Sequence, residues 1–307
     1  MRSLVRLLAG RPVLAAVLGA LTIAASAVLV RLADVPPSTA AFFRCAYALP
    51  PLAILAWYER RRYGPRPASQ MRLAWLAGAF FAADLILWHH AIIHVGAGLA
   101  TVLGNTQVVV VPLGAWLFLG ERPSARVAIS VPVVLIGVVL ISGVIGTGAY
   151  GENPVLGVGL GLLTGLAYGG FILVQRGANA DRRRPGSPLF DATLSTAVIS
   201  LAVGLPLGEI DLVPTWPAHG YLLALALGIQ VVGWLLISIS LPRLAAALTS
   251  VVLTIQPVGS VLLGVWILSE APSALQLVGV AFIIGGLLLA TVRVRQARVP
   301  KAQPQAG

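Results

Sequence analysis

The chain of 307 residues is 58% hydrophobic and only 10% charged. Soluble domains carry about a quarter charged residues, so the composition excludes an ordinary water-soluble fold. The net charge of +11 would suit nucleic acid, but its placement, described below, excludes that partner, and a single cysteine, Cys45, precludes an internal disulfide.

Apolar runs of about 20 residues, the length that crosses a hydrocarbon core of about 30 Å, recur from end to end. The first, 12–31, follows Arg2, Arg6 and Arg11 and contains "AASA", a pattern shared with cleaved signal peptides. It is long for a signal and is followed by Arg31, which favours a retained span. Further spans are expected at 38–58, 73–94, 97–119, 125–145, 154–175, 188–208, 219–241, 244–268 and 273–292. The expected fold is an all-α integral membrane protein with ten transmembrane helices.

Short loops that carry Lys and Arg face the cytoplasm. With both termini inside, that side receives Arg60–Arg62, Arg66, Arg72, Arg122, Arg126, Arg176, Arg182–Arg184, Arg243 and the basic residues of the tail; the outer loops keep Arg31 alone. The basic residues form collars at helix ends and not a stripe interleaved with aromatics, which removes nucleic acid as a partner.

The chain repeats itself. An offset of 149 sets Thr101 over Ser250, Asn105 over Thr254, Gln107 over Gln256, and the turn Glu121, Pro123, Ser124 over Glu270, Pro272, Ser273. Each half has five spans, an odd number, so the two copies cross the membrane in opposite senses, as in the inverted repeats of many secondary transporters. The expected units are 1–146 and 147–292, followed by a basic cytoplasmic tail, 293–307. In the repeat turns, proline stops one helix, serine starts the next, and Glu121 and Glu270 are expected near the N-terminus of the helix that follows.

Polar groups inside spans are costly and mark sites or packing contacts. Asp84 lies halfway along the third span, one turn before Trp88 on the same face. It can bind a substrate amine or a proton, or form an interhelical hydrogen bond. His89, His90 and His94 follow; a histidine can relay protons, but near the outer surface a wet histidine is the plainer account. No third ligand completes a metal site, and no cofactor is expected. Thr101 and Asn105 form a polar strip whose repeat mates are Ser250 and Thr254, while Gln107 and Gln256 turn away from it. Gln230 and Trp234 repeat the polar-then-tryptophan spacing of the third span, and Tyr168 completes the candidate cavity. Gly157, Gly161, Gly165 and Gly169 form a ridge that lets helices approach closely, matched by Ala16, Ala20 and Ala24.

These features resemble the EamA family of the drug/metabolite transporter superfamily. The resemblance rests on "VGAGLATVLGNTQ", on "WLFLGERPS" with its weaker copy "WILSEAPS", and on "VPPSTAAFFRCAYALPPLAIL", and it runs through all ten spans. It implies a ten-helix basket around a cavity lined mainly by helices one, three, four, six, eight and nine. It also implies transport of small metabolites, often amino acids, across the bacterial inner membrane, frequently outward. Relatives carry an arginine at the position of Arg44, which can attract a carboxylate or snorkel to the surface and reads as a structural residue. Two departures stand out: "IAAS" replaces a Trp-Gly-Ser-Asn pattern in the first span, and "DLILWHH" makes the third more polar.

The expected function is an exporter working by alternating access, with a small-molecule substrate, the bilayer as partner, proton coupling through Asp84 and a monomeric or weakly dimeric state. The alternatives are a proton-coupled exporter of lipophilic drugs and a membrane scaffold or receptor. No Walker loop, His-Glu-x-x-His or Gly-x-Ser-x-Gly motif supports an enzyme.

Overall fold

The computed structural model describes residues 11–107, 109, 125–142, 145–146, 148–213, 215–240, 243–244, 252–253 and 255–291. Among these, regular structure is entirely helical. In chain order the helices are α1 (Pro12–Ala24), α2 (Ser26–Ala33), α3 (Pro37–Ala46), α4 (Leu49–Tyr63), α5 (Ala68–Val95), α6 (Ala97–Gly104), α7 (Ala125–Ile141), α8 (Pro154–Ala178), α9 (Gly186–Gly204) and α10 (Ala218–Ala224). A π-helical stretch, Leu225–Gly233, then leads into α11 (Trp234–Ser240), followed by α12 (Ile255–Leu268) and α13 (Ala274–Thr291). Six helical stretches are long and apolar enough to cross a membrane: Pro12–Ala33, Pro37–Tyr63, Ala68–Val95, Pro154–Ala178, Gly186–Gly204 and Ala218–Ser240. The helices of 125–141, 255–268 and 274–291 are apolar but shorter.

Proline occupies the first position of α1, α3 and α8, where its missing N–H is no loss and its fixed φ suits the first turn. The first span breaks between α1 and α2 at Ala25. There the Ala24 carbonyl accepts a hydrogen bond from the Ser260 hydroxyl of α12 at 2.8 Å, so a bond from a neighbouring helix meets the chain at its break.

Packing follows the internal repeat. Helices matched by the 149-residue offset lie against each other: α3 and α4 against α9, α6 against α12, and α7 against α13. The remaining spans exchange partners, α5 packing on α8 and α1 on α11, which is the arrangement a twofold relation between the halves requires. Two carboxylates show the sense of the pairing. Glu59, near the C-terminal end of α4, accepts hydrogen bonds from the Gly186 N–H (2.9 Å), the Ser187 N–H (2.7 Å) and the Ser187 hydroxyl (2.5 Å) at the N-terminal end of α9. At the other end, Glu209, just past α9, accepts from the Ser38 hydroxyl of α3 at 2.6 Å. Ser38 and Ser187 are themselves 149 residues apart, and the two spans run antiparallel.

The glycine ridge of α8 faces the end of α5 and α6. A Cβ on Gly157, Gly161 or Gly165 would come within 2.6 Å of Val95, Leu103 or Thr106 respectively, and Gly169 is buried on the same helix. Gly137 of α7 and Gly279 of α13 likewise each face the other's backbone carbonyl, at 2.6–2.7 Å from an added Cβ. Without water in the hydrocarbon layer to drive association, such small residues let helices gain close van der Waals contact.

Glu270 departs from the expected arrangement. It does not cap the helix that follows it. Its Oε1 accepts from the Ala97 N–H (2.5 Å) and its Oε2 from the Gly98 N–H (3.1 Å), at the start of α6, more than 170 residues away. The reason lies in the turn: Ser269 adopts φ 55°, and the Glu270 N–H donates to the Gly264 carbonyl (3.1 Å), which folds the side chain back along α12. Gly264 leaves the room, since a Cβ there would meet Glu270 Oε2 at 2.4 Å. Pro272 stands in the turn before α13. Glu121 and Pro123, the corresponding residues of the first half, lie outside the described residues, as does the tail 293–307.

Candidate substrate cavity

A cavity of about 50 Å³ lies among α2, α3, α5, α6, α8, α11 and α12. Asp84, Trp88, Thr101, Asn105, Tyr168 and Trp234 line it, together with Ser26, Arg44, Thr164 and Gln256. Phe81, Trp88, Tyr168 and Trp234 are the aromatic part of its wall, and Phe171 packs against three of them. Phe81 stacks on Phe171 (centroids 4.4 Å apart), and Trp234 meets Phe81, Phe171 and Tyr168 edge-on at 5.4, 4.9 and 6.0 Å.

Asp84 is 7% exposed, faces the cavity, and makes neither an ion pair within 4 Å nor a hydrogen bond among the described residues. Arg44, on the opposite wall, is 2% exposed and is the positive charge that acts on it. Arg44 therefore does not snorkel. Its guanidinium is held from behind: Nε donates to Gln230 Oε1 (3.0 Å), Nη1 donates to the Ser26 hydroxyl (3.2 Å), and the group lies 5.5 Å from the centre of the Phe81 ring. Gln230 in turn donates to the Thr193 hydroxyl of α9 at 3.0 Å. Arg44 and Thr193 are offset mates, so one glutamine joins equivalent positions of the two halves. The arginine and the aspartate thus share a cavity without closing on each other.

The other polar groups are also unspent. Asn105 Oδ1, the Thr164 and Tyr168 hydroxyls, Trp234 Nε1 and Gln256 Nε2 are buried and have no hydrogen-bond partner among the described residues; Tyr168 and Gln256 are near enough to interact, but without hydrogen-bonding geometry. A buried polar atom left unpaired costs about 1–3 kcal/mol. A group of them around one void marks a place that something polar fills. The void has room for a few waters, whereas sites for small organic ligands are on the order of 300 Å³ or more.

Several sequence candidates fall elsewhere. Gln230 is buried behind Arg44 and does not line the cavity. His89 is buried, its Nδ1 3.0 Å from the Pro37 carbonyl, and is not a wet interfacial histidine. His90 Nε2 lies 3.0 Å from Glu209 Oε1. Thr101 and Asn105 face the cavity, but the Thr101 hydroxyl also donates to the Ala97 carbonyl (2.9 Å) and the Asn105 amide to the Thr101 carbonyl (2.9 Å). Ser250 and Thr254 lie outside the described residues. Gln256, expected to turn away, lines the cavity, and Gln107 is buried away from it. Sequence reasoning passed over Thr164 and Ser26. Thr164 stands one helical turn before Tyr168 on α8, the same spacing that singled out Asp84 and Trp88, and could have been found by it.

A model of the EamA-like transporter family matches the chain over residues 10–143 and again over 155–292. The chain therefore belongs to the EamA-like transporter family, a group of membrane transporters of small molecules within the drug/metabolite transporter superfamily. A solved structure described only as "Crystal structure of protein" superposes with a TM-score of 0.63 at 20% identity, over 93% of this chain and 99% of that one; it supports the fold alone. No curated protein matches.

Proposed function

We propose that the protein is a secondary carrier of the bacterial inner membrane that exports a small zwitterionic metabolite, an amino acid or a close relative, by alternating access. In this reading ten helices form two five-helix units of opposite polarity, 1–146 and 147–292, with both termini and the tail 293–307 in the cytoplasm and with a monomer or weak dimer as the working form. The observation that carries it is the Asp84–Arg44 cavity: one buried acid and one buried base, unpaired with each other, beside unpartnered polar groups on helices from both halves. A solute bearing an amine and a carboxylate satisfies both charges at once. A lipophilic cation satisfies only the acid and meets Arg44 as a like charge, so the drug-exporter alternative fits less well.

Asp84 is the group through which a proton is exchanged for the solute: protonated when the cavity is empty, ionised when an amine sits against it. Proteoliposomes holding the purified protein test this reading by counterflow of labelled amino acids. The wild type is expected to exchange at least one of them, with Asp84→Asn and Arg44→Gln each reduced more than tenfold. Exchange by Asp84→Asn at the wild-type rate removes the assignment of this cavity. Labelling of Arg122→Cys and Ala271→Cys from the same side of the membrane removes the opposed polarity.

A further inference from the structure

At the end of the bundle where α4, α5 and α9 meet there is a second concavity, separate from the central cavity. It encloses about 360 Å³; Ala56 of α4, Met71 of α5 and Phe190 of α9 give it an apolar floor, and Arg60, Arg66 and Arg184, with the one acid Asp191, give it a charged mouth. An adjoining hollow shares Trp57, Arg60 and Pro65 with it and adds Arg61. Trp57 is 59% exposed, as expected of an aromatic side chain at the boundary between hydrocarbon and headgroups.

The arginines at this mouth are not equally occupied. Arg184 is held by the Tyr63 and Gly64 carbonyls and paired with Asp181. Arg66 donates to Asp191 through Nη2, yet its Nη1 is buried and has no partner among the described residues. Burial also lowers the Arg66 guanidinium from its usual range, a strain that an anion beside it relieves. Among the described residues Arg60 and Arg61 meet no carboxylate; Arg61 lies over the Trp57 ring at 5.2 Å.

We infer that this hollow is a binding site for an anionic phospholipid, its phosphate held by Arg60, Arg61 and Arg66 Nη1 and its acyl chains lying over Ala56, Met71 and Phe190. Charge complementarity selects an anion, and the floor selects a lipid over a free phosphate, because a free phosphate leaves that apolar surface uncovered. Basic pockets between transmembrane helices are suited to such headgroups. The hollow draws on α4 and α5 of the first half and α9 of the second, so its lipid bridges the two halves at their joint.

The test uses the full chain purified in detergent, given phosphatidylglycerol or phosphatidylcholine, with retained lipid counted by native mass spectrometry and thermal unfolding followed in parallel. The wild type is expected to retain phosphatidylglycerol more than about tenfold over phosphatidylcholine, since each surface arginine contributes about fivefold, and to melt higher in its presence. Arg60→Gln/Arg61→Gln, both exposed and without structural bonds, is expected to abolish the preference. Ala56→Phe, which fills the floor and keeps every charge, is expected to reduce retention while leaving the fold intact by gel filtration. Equal retention of the two lipids by the wild type, or an undiminished preference in both variants, overturns the proposal. Equal stabilisation by glycerol phosphate also overturns it, because the ligand is then a soluble phosphate.

Discussion

Three buried carboxylates divide this molecule into two kinds of region. Glu270 and Glu59, 5% and 4% exposed, sit at opposite joints between the halves and are saturated: two backbone N–H groups for the first, and two with a hydroxyl for the second. Asp84, equally buried, accepts no hydrogen bond from the described residues. Burial alone does not separate structure from site. A carboxylate whose lone pairs are filled by helix N-terminal N–H groups is a clamp, and its charge is balanced by the exposed ends of the helix dipole. One that faces a void beside an unpaired arginine is held ready for something else. The contrast predicts that removing the clamps costs stability, whereas removing Asp84 costs only transport.

The largest loss of stability is expected from Glu270→Ala. It strands the Ala97 and Gly98 N–H groups at the start of α6 and opens space beside Gly264. With charge-assisted bonds each worth about 1.5–3 kcal/mol, the loss is about 3 kcal/mol, read as a fall in the unfolding midpoint in detergent. If Glu270→Ala melts with the wild type, the clamp is decorative and the division fails. Glu59→Gln comes next. An amide oxygen at the Oε2 position still accepts from the Ser187 N–H and hydroxyl, but the NH₂ is then turned on the Gly186 N–H, which has nothing to offer it, for a loss of about 1–2 kcal/mol by the same measurement.

Asp84→Asn sharpens the comparison from the other side. No donor among the described residues loses an acceptor, and a protonated carboxyl gives way to an amide of the same shape, so the midpoint is expected to stay where it is. Transport is expected to fall more than tenfold. A large loss of stability in this variant would show that Asp84 has a structural partner and belongs with the clamps.

How far could this division be read in the sequence? Runs such as 154–175 and 273–292 were legible because a bilayer demands long apolar helices, and they lie close to α8 and α13; much of 97–119 and 244–268 lies outside the described residues. Asp84 with Trp88 and Thr101 with Asn105 could be placed on one face because α-helical spacing puts residues one turn apart side by side. The same rule placed Trp234, which enters the cavity, but not Gln230, whose side chain is taken up by Arg44 and Thr193. For Arg44 the sequence leaves an inward reach toward a carboxylate and outward snorkelling both open, because its long side chain allows either, and only its partners Ser26 and Gln230, distant in sequence, decide between them. Glu270 was misjudged for a related reason. The dipole argument correctly asked for a helix N-terminus, but nothing local says which helix supplies it.

The smallest effect concerns the turn that aims Glu270. Ser269 holds φ 55°, a left-handed conformation that costs a residue with a Cβ about 1–2 kcal/mol. The offset mate of Ser269 is Gly120, in "LGERPS" against "LSEAPS", so the other half carries at this position the residue that adopts such a conformation without penalty. Ser269→Gly relieves the strain but adds chain entropy to the unfolded state, which returns about 0.5–1 kcal/mol. The net expectation is a stabilisation of less than about 1 kcal/mol, with transport unchanged. Ser269→Val, branched at Cβ and least tolerant of positive φ, should lower the midpoint. If glycine and valine at 269 melt alike, the turn does not hold the Glu270 clamp in place, and the clamp's stability comes from α6 and α12 alone.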